Sequence, residues 1–277
     1  MVTRVLDGLG LYCEGRETVA TGFPSLDRLL PAGGVRRGSL IEWLAGNASP
    51  DDAGGAISLA CAVACRLAVP RQGDQSRASQ AATIVVIDRG QRFYPPAVIP
   101  WLDAMADATG KSGGRPHLVV ARPSRDDDEL WTIDQALRCP GVAAVLAWPR
   151  RVHATAMRRW QLASRASGAV GLLVRGLSER RPVGEPTWAD AKVAISPVAG
   201  EPDADLAVRR LRLSLAGGPW SGSEMLEERS TELRLDLTSG REATGRHRMP
   251  ARPAAPVAGG GLQAGRLPVE EVVCRAS

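Results

Sequence analysis

Continuous apolar runs alternate with longer mixed segments between residues 39 and 175. The apolar runs predict strands at 39–45, 83–88, 117–121, 141–148 and 169–175. The segments between them predict helices at 55–69, 95–108, 126–138 and 153–167. Because strands without polar alternation are typical of sheets covered on both faces, the pattern predicts an α/β fold. We expect a mostly parallel sheet with right-handed crossovers, flanked by helices.

Three apolar segments follow residue 176, at 191–196, 206–216 and 232–238, with no helical segment between them. Leucine alternates with polar residues in the last two, and such alternation predicts antiparallel strands. We therefore expect antiparallel strands at the C-terminal side of the sheet, beginning near residue 190.

These patterns divide the chain into an N-terminal lead-in at 1–20, one α/β domain at 21–240 and a tail at 241–277. The tail is rich in Pro, Gly, Ala and Arg and offers few residues to a core. Such a composition cannot bury enough apolar surface to offset the entropy of ordering, so the tail is predicted to be disordered.

Composition adds a basic charge to this picture. The formal net charge is +5, and arginine supplies nearly all the positive charge because Lys111 and Lys192 are the only lysines. This balance favours an anionic partner, either nucleic acid or an acidic protein surface.

The five cysteines are scattered and form no disulfide framework, which fits a reducing cytoplasm. Cys61 and Cys65 lie four apart in an apolar segment and are predicted to be core residues on one helix face. No cysteine or histidine pair completes a zinc site, and no apolar run is long enough to cross a membrane. We expect a cytoplasmic protein without a metal ion or a membrane contact.

A glycine-containing loop joins the first predicted strand to the first predicted helix, which is where nucleotide-binding proteins have their phosphate-binding loop. A working loop has the form G-x-x-x-x-G-K-[ST]. Its backbone N–H groups cradle phosphate, its lysine reaches the phosphate oxygens and its hydroxyl binds Mg²⁺. Counted forward from Gly46, this chain has Asp51, Asp52 and Ala53 in place of the second glycine, the lysine and the hydroxyl.

Counted back from Gly54, the residues Gly55 and Ala56 stand at the lysine and hydroxyl positions, and the loop is too long. In both alignments the lysine and the hydroxyl are absent, and two carboxylates that would repel a triphosphate are present. The missing groups stabilise the charge of the transition state, so the chain is predicted not to hydrolyse ATP and to use no cofactor. Weak binding of a nucleotide stays open.

Three other charged segments have simpler interpretations. Gly110-Lys111-Ser112 resembles the end of a phosphate-binding loop but follows a helix, so it is interpreted as a turn. The strand at 83–88 ends in Asp88, as a magnesium-binding strand does, although buried strands often end in an acid. The acidic run Asp126–Glu129 follows Ser124 and is explained by helix capping and compensation of the helix dipole.

Basic residues cluster around the predicted helix at 153–167 and form an arginine stripe, which we define as Arg151, Arg158, Arg159 and Arg165. Three of its members are seven residues apart and fall on one helix face, away from the apolar residues. One interpretation is a surface for DNA phosphates or an acidic partner. The other is an ordinary solvated helix face.

The segment Thr21–Gly38 precedes the first buried strand and has the sequence TGFPSLDRLLPAGGVRRG. Its pattern predicts a short helix capped by Ser25, a glycine turn and entry into the central strand. The whole segment resembles the entry segment of the RecA family.

Within the RecA superfamily, the chain resembles the ImuA family over about residues 20–215. Beyond the entry segment, the resemblance rests on residues 87–98, 128–148 and 157–175. It implies a RecA-like fold with an eroded phosphate-binding loop and a role in the bacterial SOS response. The implied partners are ImuB-like protein, an inactive relative of Y-family polymerases, and an error-prone C-family polymerase of the polymerase III α-subunit type. RecA itself is a further candidate partner.

The resemblance thus implies a non-catalytic accessory protein of translesion synthesis and induced mutagenesis that reaches DNA directly or through its partners, at the nucleoid. Two alternatives stay open. One is a RecA-superfamily ATPase of recombination or repair, which a nucleotide titration would detect. The other is a SulA-like inhibitor of cell division, which overexpression would reveal as a septation defect.

Overall fold

The computed structural model describes residues 16–45, 54–69, 82–109, 115–176, 187–198, 207–217 and 230–243. The strands are β1 (Thr18–Val19), β2 (Val35–Arg36), β3 (Leu40–Ala45), β4 (Thr83–Ile87), β5 (His117–Ala121), β6 (Val142–Ala147), β7 (Val170–Gly176), β8 (Ala191–Pro197), β9 (Val208–Gly217), β10 (Ser230–Asp236) and β11 (Arg241–Glu242). The α-helices are α1 (Pro24–Leu29), α2 (Gly54–Leu67), α3 (Ile99–Thr109), α4 (Asp126–Arg138) and α5 (Ala154–Ser167). A 3-10 turn at Pro95–Ala97 precedes α3.

Nine strands form one sheet in the order β11-β10-β9-β8-β3-β7-β6-β4-β5. The six strands from β8 to β5 in this order are parallel. β9, β10 and β11 extend one edge with antiparallel pairing. The predicted α/β fold, with antiparallel strands at the C-terminal side, is therefore confirmed.

At the predicted start of the antiparallel strands near residue 190, β8 takes part in both kinds of pairing, because β9 pairs antiparallel with it. β8 pairs parallel with β3, with Ile41 opposite Ala191, and the antiparallel strands begin with Val208 in β9. A strand that follows a crossover connection keeps the direction of its neighbour. The local alternation of apolar and polar residues does not indicate that a crossover connection precedes the strand.

Helices cover both faces of the parallel strands. α1, α2 and α3 pack on the face that includes Ile41 and Trp43 of β3. α4 and α5 pack on the opposite face, over Leu40 and Leu173. All six residues of β3 are buried because the strand lies between β7 and β8 and beneath both layers.

The two predicted cysteine positions belong to this core. Cys61 and Cys65 are buried in α2, as the sequence predicts. Burial raises the pKa of both thiols, that of Cys65 to about 12, because the thiolate is disfavoured away from water. Neither sulfur is therefore a nucleophile at neutral pH.

The entry segment is tied together by its own side chains. Thr21 donates from its backbone N and its Oγ1 to Asp27 Oδ1, at 2.9 and 2.7 Å. The predicted cap by Ser25 is wrong, because Phe23 is the N-cap residue and no side chain caps α1. Pro24 takes the first helical position, where its missing N–H needs no acceptor. Ser25 lies inside the helix.

The predicted domain boundaries also shift. Thr18 and Val19, assigned to the lead-in, form β1 and pair with β2. Arg241 and Glu242, assigned to the tail, form β11, and Glu242 accepts hydrogen bonds from Ser25 Oγ at 2.5 Å and Ser25 N at 3.2 Å. The rest of both predicted segments lies outside the described residues. In the ranges that are described, no helix is long and apolar enough to span a membrane.

Candidate functional site

The carboxyl end of β3 is the expected ligand position in a sheet of this topology. β3 lies between β7 and β8, where the chain returns to the sheet on the other side of the central strand. Open α/β sheets bind ligands at such switch points, outside the carboxyl ends of the strands. Gly46, Asp51 and Asp52 of the predicted loop lie outside the described residues. Around the carboxyl end of β3, the structure describes the start of α2 and the ends of the neighbouring strands.

A side chain at Gly55, at the start of α2, would have to displace Leu211. A β-carbon added at Gly55 would lie 2.7 Å from Cδ2 of Leu211 in β9, which is itself buried. Ala56 is also buried in the core, so a hydroxyl at that position would replace apolar contacts. Three residues of the predicted phosphate-binding loop are described. Gly54 begins the helix, and Gly55 and Ala56 pack against the interior.

Asp88 closes a turn after β4. Its side chain is fully buried, and it accepts hydrogen bonds from the backbone N of Arg92 at 2.8 Å and of Phe93 at 2.9 Å. β4 is three strands away from β3, which corresponds to about 14 Å across the sheet. The carboxylate is therefore a structural acceptor and stands apart from the carboxyl end of β3.

The strands that separate Asp88 from β3 supply no replacement acid in their described ends. β6 is followed by Trp148, whose ring centroid is 6.4 Å from that of Phe93, and β7 ends at Gly176. Throughout the described ranges, no group of three His, Cys, Asp or Glu residues could hold a metal ion.

The acidic run at the start of α4 is partly structural. Arg125 is the N-cap residue without a side-chain cap, and Asp126 to Glu129 occupy the first turn, so Ser124 does not cap the helix. Asp126 forms an ion pair with Arg89 at 2.5 Å. Glu129 is buried, and burial raises the pKa of its carboxyl group. The run compensates the helix dipole and pairs with nearby arginine.

A central ionic cluster, formed by Glu42, Arg175 and Lys192, crosses three adjacent strands. Glu42 of β3 is fully buried and accepts a hydrogen bond from Nη1 of Arg175 in β7. Nζ of Lys192 in β8 lies 3.9 Å from Glu42 Oε2. No motif in the sequence predicts this cluster. The available signal was a single glutamate in an apolar strand.

Three members of the arginine stripe make contacts within the protein. Arg165 pairs with Asp190 at 3.2 Å, and Arg159 Nη2 lies 3.2 Å from Asp134 Oδ2. The guanidinium of Arg158 lies 4.5 Å from the centroid of the Trp188 ring. Arg151 is exposed and makes no hydrogen bond or ion pair within the described part of the chain.

Asp134 connects this stripe to α4. Burial alone would raise the pKa of Asp134, but the hydrogen bonds and charges of Arg138 and Arg159 lower it overall. Asp134 Oδ2 is 2.8 Å from Arg138 Nε and is buried in the α4–α5 contact. The stripe therefore joins α5 to its surroundings and offers Arg151 and the exposed side of Arg159 to a partner.

Charge reversal should separate these roles. We expect Arg151→Glu to change the free energy of unfolding by less than about 0.5 kcal/mol, because the side chain is exposed. Arg165→Glu should lower it by about 1–3 kcal/mol, because it breaks a charged hydrogen bond and places two carboxylates together. Urea denaturation of both variants measures the difference. Equal losses would show that the Asp190 contact contributes nothing.

Comparison with known proteins gives no assignment. No model of a known protein family matches this chain, and no curated protein matches it.

Proposed function

We propose that this chain is a non-catalytic accessory protein of the SOS-type DNA-damage response, acting in translesion synthesis and induced mutagenesis. It binds an ImuB-like protein and an error-prone C-family polymerase, and it reaches DNA directly or through them. The support is the resemblance of residues 21–38, 87–98, 128–148 and 157–175 to the ImuA family. The α/β fold of the described residues is compatible with that resemblance.

The packing at the start of α2 supports the non-catalytic part of the proposal. In a hydrolase of this class, the lysine and the hydroxyl project from the first turn of that helix toward phosphate. Here Leu211 lies against Gly55, and Ala56 is buried. A protein that recruits other proteins needs neither group, because its work is done by surface contact.

The absence of ATP turnover is the first expected result. Purified protein with ATP and Mg²⁺ should release phosphate no faster than a protein-free control. The double variant Gly55→Lys, Ala56→Thr should not gain activity, because the lysine meets Leu211 and the loop is too long. Turnover that disappears in the double variant Asp51→Ala, Asp52→Ala would replace the proposal with the ATPase alternative.

Partner binding is the direct test of the proposal. The full chain should form a stable complex with the ImuB-like protein of the same genome, measured by calorimetry. The variant Arg151→Glu should weaken that complex, whereas the control Arg125→Glu, an exposed arginine at the start of α4, should not. No complex with the ImuB-like protein, together with filamentous growth on overexpression, would favour the SulA-like alternative.

The salt dependence of binding distinguishes a protein partner from DNA. Neutralising DNA phosphates releases roughly one counterion for each contact, so affinity for DNA falls steeply as salt rises. Binding to the ImuB-like protein should have a shallow slope, because a protein interface combines charges with apolar contacts. A steep slope for a complex of this chain with duplex DNA alone would assign the exposed arginines to DNA.

A further inference from the structure

A pocket of about 160 Å³ lies at the amino end of β3, the end of that strand away from Ala45. It is formed where the entry segment reaches the amino end of β3, beside the start of β8 and the last turn of α5. No motif in the sequence marks it, because its residues come from positions 16 to 191. We call it the arginine-rimmed pocket.

The interior of the arginine-rimmed pocket is apolar. Leu30, Val35, Ile41 and Ala191 line it, and all four are buried. They belong to the same core cluster as α2 and β3, so these walls are held in place by the main core. A site with such walls is formed before any ligand arrives.

Its polar lining is strongly positive. Arg16, Arg36, Arg37 and Arg165 contribute to it, and Asp190 is the acid among the lining residues. Asp190 is already engaged, because it accepts a hydrogen bond from Leu40 N at 2.9 Å and pairs with Arg165. The lining as a whole therefore attracts carboxylate groups.

Two of these arginines have no carboxylate partner within the described residues. Arg16 donates to two backbone carbonyls, those of Gly38 at 3.2 Å and Arg165 at 3.1 Å. The guanidinium of Arg36 makes no hydrogen bond or ion pair in the described ranges. Their positive charges are available to an incoming anion, although Arg16 also holds the end of α5 in place.

We propose that the arginine-rimmed pocket takes one apolar side chain of a partner protein, flanked in the partner's sequence by acidic residues. Pockets for nucleotides and other small molecules typically occupy about 300–1,000 Å³, so this smaller pocket favours a single side chain. A cavity of about 150 Å³ accepts a benzene-sized group, so a leucine or phenylalanine side chain fits. The identification of the occupant as protein rests on the proposed function.

The probe for the pocket is the peptide acetyl-Asp-Leu-Glu-amide, added to the full chain labelled with ¹⁵N. We expect dose-dependent shifts of the Gly34, Gly38 and Ser39 amide signals, with a dissociation constant of about 1 mM or tighter. The control peptides acetyl-Lys-Leu-Lys-amide and acetyl-Asp-Ala-Glu-amide should bind at least tenfold more weakly. No shifts, or equal shifts with the lysine peptide, would overturn the proposal.

Two variants test the pocket with the protein partner. Arg36→Glu reverses a rim charge, and Ala32→Phe places a ring at a half-buried lining position without altering the core. Each should weaken binding of the ImuB-like protein at least tenfold, whereas Arg125→Glu should not. Normal binding by both variants overturns the pocket and leaves the proposed function standing. Peptide binding without any ImuB-like complex has the opposite meaning: the pocket stands and the proposed function fails.

Discussion

Replacing Glu42 by leucine should lower the free energy of unfolding by about 3–5 kcal/mol, the range seen when one partner of a buried ion pair is removed. The carboxylate lies between Arg175 and Lys192 in the middle of the sheet. Their side chains are only 16% and 7% exposed. Both cations would lose this carboxylate while they remain largely shielded from water, which is the costly situation for a charge.

The matched control is Glu232→Leu in β10. Glu232 also lies near two arginines, with Arg212 at 3.1 Å and Arg210 at 3.5 Å, but its side chain is 48% exposed. Exposed pairs contribute about 0–1 kcal/mol. Urea denaturation of both variants compares the loss of a glutamate from a buried ionic cluster with the loss of a glutamate from an exposed one. A loss below about 1 kcal/mol for Glu42→Leu would show that water reaches the cluster.

A triple variant separates the cost of removing the carboxylate beside two largely buried cations from the cost of lost packing. Glu42→Leu combined with Arg175→Met and Lys192→Met removes all three charges together. Buried ionic clusters replaced by apolar residues of similar size are often as stable as the original. We therefore expect the triple variant to recover most of the stability that the single variant loses. Failure to recover would assign the loss to packing around the introduced leucine side chain.

Gly38→Ala should be the second large effect, with a loss about 1–3 kcal/mol greater than that of Gly33→Ala. Gly38 has a φ of +71°, and Gly33 has a φ of +67°. Both replacements therefore meet the same backbone strain of about 1–2 kcal/mol. The two sites differ in their surroundings, so the difference between the variants measures crowding alone.

The crowding at Gly38 comes from the end of α5. An added β-carbon would lie 2.7 Å from the carbonyl oxygen of Ser164, whereas nothing lies within 4 Å at Gly33. The Ser164 oxygen also accepts a hydrogen bond from Gly168 N at 2.9 Å, so it cannot move away freely. Thermal or urea denaturation of the pair gives the result. Equal losses of stability in the two variants would mean that the turn at Gly38 moves away from α5 at no cost in free energy.

The regular elements could be predicted closely from local pattern. The bounds predicted for β5 and α4, at 117–121 and 126–138, agree with the structure residue for residue. β5 is a continuous apolar run and α4 has a helical period, so both signals are local. The end of α5 is also marked locally, because Gly168 follows the helix in the left-handed conformation, with a φ of 85°.

Features that depend on distant contacts could not be predicted in this way. The direction of β8 follows from its place beside β3. The cap of α1, in contrast, was a local misassignment, because Pro24 takes the first helical position before Ser25. Arg158, Arg159 and Arg165 lie in α5, whereas Arg151 precedes the helix. The engagement of the arginine stripe with Asp134 and Asp190 depends on residues 25 positions away in the sequence.

At the candidate site, too, local features could be predicted from the sequence and features that depend on distant contacts could not. Absence of the lysine and the hydroxyl was visible in the sequence at positions 51–56. The apolar contact of Leu211 with the first turn of α2 joins residues more than 150 positions apart and has no local signal. The arginine-rimmed pocket was invisible for the same reason.

The position of β3 in the sheet has a consequence for synthesis of the protein. Leu40 pairs with Gly171, and Ile41 pairs with Ala191, so the neighbours of the central strand leave the ribosome about 130 and 150 residues later. At roughly 5–20 residues per second, β3 waits about 7–26 s for its first partner. During that interval, both edges of an apolar strand are open to other nascent chains. We therefore expect residues 40–45 to be prone to misassociation until β7 has been translated.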